Sequence, residues 1–112
     1  MSNGAAWAIL IAAGLCEIIW AVGLKYSDGF ARLWPSVGTL LAMILSVVLL
    51  GLSLKSLPLG TAYAIWTGIG AVGTAICGML LFDEARSTAR LLCITMIVAG
   101  IVGLKLITSA DD

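Results

Sequence analysis

The chain has 112 residues, of which 62% are hydrophobic and only 11% are charged. Soluble domains normally carry about a quarter charged residues, and a chain this short has too little interior to bury so much apolar surface. These proportions exclude a water-soluble globular domain and favour a protein that uses lipid as its solvent. Because the net charge is zero and histidine is absent, nucleic-acid binding has no electrostatic support, and proton chemistry must come from carboxylates.

Four apolar stretches predict four transmembrane helices, because a bilayer core about 30 Å thick needs roughly 20 apolar residues per helix. We place the helices at about 5–24, 34–54, 59–82 and 88–107, with the charged residues collected in the breaks between them. Breaks this short make neighbouring helices antiparallel. The sequence therefore predicts an all-α membrane protein with a single four-helix transmembrane domain over residues 1–112.

The orientation of the chain in the membrane is weakly encoded. Loops one and three share a membrane face and carry four cations: Lys25, Arg32, Arg86 and Arg90. The opposite face carries three: Lys55, Lys105 and the terminal amine. Orientation follows an excess of Lys and Arg on the cytoplasmic side, and this balance is nearly even. Two interpretations stay open: a weakly biased single orientation, or insertion in both orientations to give antiparallel dimers.

Glu17 is the only ionisable side chain well inside a predicted span. A charge near mid-membrane costs about 2.5–3.5 kcal/mol on insertion scales, so such residues usually face a cavity and mark an ion or proton pathway. Gly14 and Trp20 share its helix face, where Gly14 leaves room and Trp20 offers an aromatic face and one N–H donor. An anion beside an aromatic ring suits an organic cation. The structural alternatives are a neutral Glu17 that bonds a neighbouring helix and a Trp20 that packs or faces lipid.

Other polar and aromatic side chains at similar depth extend this candidate site. Tyr63, Trp66 and Gly70 stand at i, i+3 and i+7 of the third helix, and both rings carry donors that could orient a carboxylate. Ser46 in the second helix is a weaker candidate, because serines in membrane spans often bond their own backbone. We expect five residues to line the site or orient Glu17: Gly14, Trp20, Ser46, Tyr63 and Trp66.

Residues 68–73 (GIGAVG) match the GxGxxG string of dinucleotide-binding turns. No strand precedes the string and it lies within a membrane span, so that interpretation is excluded. Three glycines in six residues instead permit close packing and ease bending. We expect a hinge at Gly68, Gly70 and Gly73.

The fourth helix has no internal charge but carries small residues on one side: Cys93, Gly100 and Gly103. Small residues let helix backbones approach closely, so we expect these three to contact a second copy of the chain. Four helices of this length form a thin bundle, which favours a cavity shared between two protomers.

Nothing in the sequence predicts a metal site, a cofactor or an enzyme. Cys16, Cys77 and Cys93 lie within apolar stretches, form no CxxC pair and have no histidine to complete a metal site, so we expect small buried hydrophobic residues. No nucleophile and base stand together in a pattern typical of catalysis.

These residues resemble the small multidrug resistance family of bacterial transporters, and within it the guanidinium exporter subtype. The resemblance covers essentially the whole chain, including its length, its four spans and its single membrane Glu. It is carried by residues 17–21 (EIIWA), 24–30 (LKYSDGF) and 60–70 (GTAYAIWTGIG), the last being strongly specific for the family. Trp20 and the Lys25-Tyr26-Ser27 context favour the subtype. Residues 32–37 (RLWPSV) look more like multidrug members but lie outside the expected pocket.

The resemblance implies an antiparallel homodimer, inserted in both orientations in the bacterial inner membrane, that exchanges cytoplasmic guanidinium for external protons. It implies that Glu17 binds substrate and protons in competition, and that Trp20, Ser46, Tyr63 and Trp66 hydrogen-bond Glu17 or line the site. Two Glu17 carboxylates facing one cavity would titrate as a coupled unit. Planar guanidinium can meet a carboxylate through two parallel N–H donors.

Two other functions stay open at this point. One is a multidrug exporter of quaternary ammonium ions, which carry no N–H donors and rely on aromatic faces. The other is a membrane subunit that does not transport, or that serves as one half of a heterodimer. Trp20 and Ser46 favour a cation that bears donors, and a central Glu17 argues against a scaffold.

Overall fold

Four α-helices make up the fold in the computed structural model, which describes residues 2–111 and the side chains of residues 2–108. In chain order they are α1 (Asn3–Tyr26), α2 (Leu33–Ser53), α3 (Leu59–Leu81) and α4 (Thr88–Asp111). All four are long and apolar enough to cross a membrane, and no strand occurs within residues 2–111. The predicted all-α, four-helix membrane architecture is confirmed.

The helix ends differ slightly from the predicted bounds. α1 begins at Asn3, where the hydroxyl of Ser2 accepts the Ala5 N–H at 3.1 Å and caps the first turn. α4 continues past the predicted end at Ile107 to Asp111. Four of the five residues after Ile107 are polar and none is a Gly or Pro that would stop a helix, so the apolar pattern ends before the helix does. Residues 1 and 112 of the predicted domain lie outside the described residues.

The turn after α1 reverses the chain through left-handed backbone. Asp28, Gly29 and Phe30 have φ values of 54°, 68° and 68°. The buried Ser27 hydroxyl holds this turn by donating to the Leu24 carbonyl at 2.8 Å and accepting the Phe30 N–H at 3.0 Å. This tight reversal makes α1 and α2 antiparallel neighbours, as the short connection predicts.

α1 packs against both α2 and α3, and α3 contacts all three of the other helices. The buried face of α1 joins the core formed with α2, α3 and the turn between them: Ala6, Trp7, Leu10, Ala13, Leu50, Leu57, Ala62, Ile65 and Trp66. A Cβ built on Gly14 of α1 would lie 2.8 Å from the Cβ of Ile69 in α3, so Gly14 permits this close approach.

α4 lies at the edge of the bundle and its backbone neighbours α3 alone among the described helices. The side chain of Ile101 packs against Gly68, in the space that a Cβ there would occupy. The hydroxyl oxygens of Thr108 and Thr61 lie 3.4 Å apart. Most other α4 side chains are exposed. The fold is consequently flat, with principal-axis extents of 44 × 35 × 17 Å, and one whole helix face is available to lipid or protein.

Candidate functional site

Glu17 lies in the interior of α1, about 13 Å along the helix axis from the end at Tyr26. Its half-buried side chain crosses to α3 and covers Gly70. A Cβ built on Gly70 would lie 2.8 Å from the Glu17 Cγ and would overlap the carboxylate. Gly70 is therefore the position at which α3 makes room for the membrane carboxylate.

The Glu17 side chain lines a cavity of about 370 Å³ between α1 and α3. α1 also contributes Trp20 and Ala21, and the α3 wall is formed by Thr67, Gly70, Ala71 and Thr74. Sites for small molecules commonly occupy about 300–1,000 Å³, so this volume suits a small ligand. Glu17 is the only acidic or basic residue in the lining, which gives the cavity a preference for cations.

Trp20 brings the second distinctive group to this cavity. Its indole N–H is buried and donates to no acceptor among the residues that the structure describes. A buried donor without a partner costs about 1–3 kcal/mol, so it is stabilised by any acceptor that reaches it. A reoriented Glu17 carboxylate would be such an acceptor.

Ser46 and Trp66 form a buried hydrogen-bond chain that links three helices. The Trp66 indole N–H donates to the Ser46 hydroxyl at 2.9 Å, and that hydroxyl donates to the Ala13 carbonyl at 2.7 Å. Ala13 is four residues before Glu17, so its carbonyl also accepts the Glu17 backbone N–H in an α-helix. A hydroxyl has one proton to donate. In this structure Ser46 therefore orients the helix turn that carries Glu17, and direct donation from Ser46 to the carboxylate stays a prediction.

Tyr63 and Gly14 lie outside the cavity lining. Tyr63 is half exposed, and its ring centroid lies 5.5 Å from that of Trp66. Gly14 faces Ile69, one turn from the Glu17 carboxylate. The structure thus brings Glu17, Trp20 and Gly70 together, whereas Gly14, Ser46, Tyr63 and Trp66 lie outside the lining of their cavity.

The predicted hinge glycines are packing positions in this structure. The side chain of Ile101 in α4 packs against Gly68, and the side chain of Ile18 in α1 packs against Gly73. α3 continues as one helix through all three glycines. Their role as a hinge stays a prediction.

The predicted dimer residues on α4 lie on its exposed side. Cys93 and Gly100 are exposed, and no atom lies within 4 Å of a Cβ built on Gly100 or Gly103. Cys93 is thus not buried in this structure, whereas Cys16 and Cys77 are partly buried. Among the side chains of residues 2–108 there is no group of three His, Cys, Asp or Glu that could hold a metal ion.

Thr67 and Thr74 are site residues that the sequence analysis missed. They lie three residues before and four residues after Gly70, so they share its helix face. The Thr67 hydroxyl donates to the Tyr63 carbonyl at 2.9 Å, which leaves its oxygen as an acceptor. The position of each threonine one helical turn from Gly70 was the signal that could have identified both of them.

The sequence matches the family model of the Small Multidrug Resistance protein over residues 5–97. A guanidinium exporter of Yersinia pseudotuberculosis is 64% identical over 101 residues, which cover 90% of this chain and 97% of the relative. A guanidinium exporter of Salmonella typhimurium is 63% identical over 100 residues, with 89% and 95% covered. A guanidinium exporter of Citrobacter freundii is 59% identical over 102 residues, with 91% and 97% covered.

These relatives are exporters by name, and exporters are transporters rather than enzymes. The family match covers most of the chain, and the four apolar helices account for its place in the membrane. The chain belongs to the small multidrug resistance family of transporters and is a multi-pass protein of the bacterial inner membrane.

Proposed function

We propose that this chain exports guanidinium in exchange for protons, by alternating access in an antiparallel homodimer. The observation that carries the proposal is Glu17, the only acidic or basic residue lining a small cavity between two membrane helices. Relatives that are 59–64% identical and bear the name guanidinium exporter support the substrate.

The lining chemistry suits a small, flat cation with N–H donors. Guanidinium can present two parallel N–H groups to the Glu17 carboxylate, and such charge-assisted pairs are roughly twice as strong as neutral ones. Its remaining donors could reach the hydroxyl oxygens of Thr67 and Thr74, and its face could stack on the Trp20 ring. A quaternary ammonium ion would use only the ring and the charge.

Competition for Glu17 supplies the coupling. A carboxylate can hold a proton or pair with a cation, and both states reduce the cost of a charge within the membrane. If the cavity opens to each side in turn, cation leaves where protons are abundant and protons leave where cation is abundant. With one Glu17 from each protomer, the two carboxylates titrate as a coupled pair.

A second copy is supported by the exposed face of α4. The backbone of this helix neighbours only α3 among the described helices, and Cys93 and Gly100 are exposed. A Cβ built on Gly100 or Gly103 meets no atom within 4 Å. The even distribution of Lys and Arg supports an antiparallel arrangement, since neither orientation is strongly favoured.

Transport is tested by solid-supported-membrane electrophysiology on purified protein in proteoliposomes. Guanidinium should evoke proton-coupled current, whereas urea has the shape without the charge and tetramethylammonium has the charge without the donors. Glu17→Gln should fold and insert but carry no current, because an amide exchanges neither proton nor charge. Glu84→Gln is the matched control, because Glu84 lies outside the cavity and pairs with Arg90. Wild type carrying tetramethylammonium as well as guanidinium would instead identify a multidrug exporter.

The antiparallel arrangement is tested by labelling a single cysteine from outside intact cells. The cysteine is introduced within residues 27–31, in a variant from which Cys16, Cys77 and Cys93 have been removed. Because the charge balance sets no firm orientation, about half of the protein should react with an impermeant thiol reagent. Labelling of nearly all or nearly none would show one fixed orientation and exclude the antiparallel dimer.

A further inference from the structure

A second cavity of about 340 Å³ lies between α1, α3 and α4 and shares no lining residue with the Glu17 cavity. Its walls are aliphatic and aromatic, with Ile11 on α1, Ile65 and Ile69 on α3, and Ile101 on α4. Lys105 is the only charged residue in the lining. The surface of this groove is wholly apolar, with only the aliphatic stem of Lys105 contributing to it, and the exposed Lys105 stands at its rim. An apolar groove with a cation at its rim is the complement of an anionic amphiphile.

Trp7 and Lys105 lie side by side at the rim of this groove. The Lys105 Nζ lies 5.0 Å from the centroid of the Trp7 ring. Trp7 is 7% exposed, and its indole N–H donates to no acceptor among the residues that the structure describes. Within residues 2–108, no carboxylate lies within 4.0 Å of the Lys105 ammonium. The exposed ammonium thus has the face of the Trp7 ring as its neighbour and no described carboxylate, so an oxygen anion at the rim of the groove would complete its partners.

Both residues lie at the depth of the lipid headgroups. Trp7 is about 6 Å along the axis from the start of α1, and Lys105 is about 9 Å from the end of α4 at Asp111. Because α1 begins and α4 ends on the same side of an up-and-down bundle, the two residues share one membrane face. Trp and Lys at this level commonly anchor a helix at the interface, with the lysine extending its ammonium toward the headgroups.

We propose that this groove binds an anionic phospholipid of the surrounding bilayer. One acyl chain lies against the isoleucines, and the phosphate oxygens accept hydrogen bonds from the exposed Lys105 ammonium beside the Trp7 ring. Basic pockets between membrane helices bind anionic headgroups by the same chemistry. This site is separate from the transport site and does not rest on the proposed substrate.

The lipid site and the expected dimer contact occupy different faces of α4. At about 100° per residue, Cys93, Gly100 and Gly103 lie about 120–160° around the helix from Lys105. A second copy seated on the small residues therefore leaves the groove open to the bilayer, so the lipid and the dimer can be present together.

The test is quenching of tryptophan fluorescence by brominated lipids in proteoliposomes of the full chain. Brominated phosphatidylglycerol and brominated phosphatidylcholine are compared at equal fractions in a phosphatidylcholine bilayer. Wild type should prefer phosphatidylglycerol about fivefold, the effect expected for one Lys against an anionic lipid. Lys105→Gln should abolish this preference, so that the two lipids quench about equally. Lys55→Gln should retain it, because Lys55 lies on the same membrane face but outside the groove.

Trp7→Phe locates the quenched ring, since the chain has four tryptophans. If the extra quenching by brominated phosphatidylglycerol over brominated phosphatidylcholine is lost in this variant, the lipid lies beside Trp7. Three results would each overturn the proposal. Both lipids could quench wild type equally, the preference for phosphatidylglycerol could survive Lys105→Gln, or the extra quenching by brominated phosphatidylglycerol could survive Trp7→Phe. If neither lipid quenches the Trp7 component, protein rather than lipid covers the groove, and the proposal is also overturned.

Discussion

Two indole N–H groups in this bundle contrast sharply. Trp66 on α3 donates to Ser46, which donates in turn to the α1 backbone at Ala13, so every member of that chain has a partner. Trp20 on α1 is partly buried beside Glu17, and its buried N–H has no acceptor within the described chain. Both rings belong to membrane-spanning helices, yet one completes a hydrogen-bond chain and the other lacks a partner.

The difference separates what holds the helices from what binds a ligand. A satisfied buried network stabilises one arrangement and offers nothing to a substrate. An unsatisfied donor beside a carboxylate destabilises the empty site, and a ligand that completes its hydrogen bonds gains that free energy on binding. The Ser46–Trp66 chain therefore fixes the helix turn of Glu17, while Glu17 and Trp20 are left to interact with cations and protons.

After Glu17→Gln itself, the largest effect should come from Gly70→Ala. The new Cβ would lie 2.8 Å from the Glu17 Cγ and would push the carboxylate out of the cavity while leaving the Ser46–Trp66 chain intact. Because a displacement of about 1 Å at a reacting group can cost about a hundredfold in rate, we expect a loss of that size in guanidinium-evoked current. The control is Gly51→Ala, where a Cβ meets no atom within 4 Å. Equal currents in both variants would mean that Gly70 does not position Glu17.

Trp20→Phe should have a smaller effect, because it keeps the aromatic face and removes only the N–H. Losing one hydrogen bond to a charged group costs about 1.5–3 kcal/mol, so the guanidinium concentration for half-maximal current should rise about tenfold or more. Trp34→Phe is the matched control, since Trp34 is 78% exposed at the start of α2. An unchanged concentration dependence in Trp20→Phe would show that this N–H serves neither Glu17 nor substrate.

Ser46→Ala should change transport least and stability most. Removing the hydroxyl leaves the Trp66 N–H without its acceptor, and hydrogen bonds between membrane helices are worth about 0.6 kcal/mol on average and at most about 1.7 kcal/mol. We expect the free energy of unfolding, measured in mixed detergent micelles, to fall within that range. Ser53→Ala should cost less, because the buried Ser53 donates to Leu50 within its own helix. If Ser46→Ala alone relaxes selectivity against tetramethylammonium, the hydroxyl contacts the site directly.

Helix α4 shows which boundaries the sequence can predict. Its start at Thr88 agrees with the prediction, because the charged segment Asp83–Ser87 marks the break. Its end was predicted too early, because hydropathy reports where apolar residues stop, whereas the helix stops where backbone hydrogen bonding stops.

The candidate site, like the bounds of α4, was predicted from the sequence only in part. Glu17 and Trp20 were identified from cost and spacing within one helix, and both line the cavity. Ser46 and Trp66 were expected to line the site or to orient Glu17. In this structure Trp66 donates to Ser46 and Ser46 donates to the Ala13 carbonyl, and their contact with the carboxylate stays a prediction. Thr67 and Thr74 were missed, because one helix pattern does not reveal which of two adjacent faces meets its neighbour.

The sequence by itself determined that the chain crosses a membrane four times and that Glu17 is its single ionisable group deep within a span. Both follow from quantities that are local in the chain, namely the length of apolar runs and the cost of a charge in hydrocarbon. Only the tertiary structure decided which donors are satisfied and which glycine receives the carboxylate. Those outcomes depend on the rotation of each helix against its neighbour, which is set by packing across the interface, where Ile69 meets Gly14 and Glu17 meets Gly70.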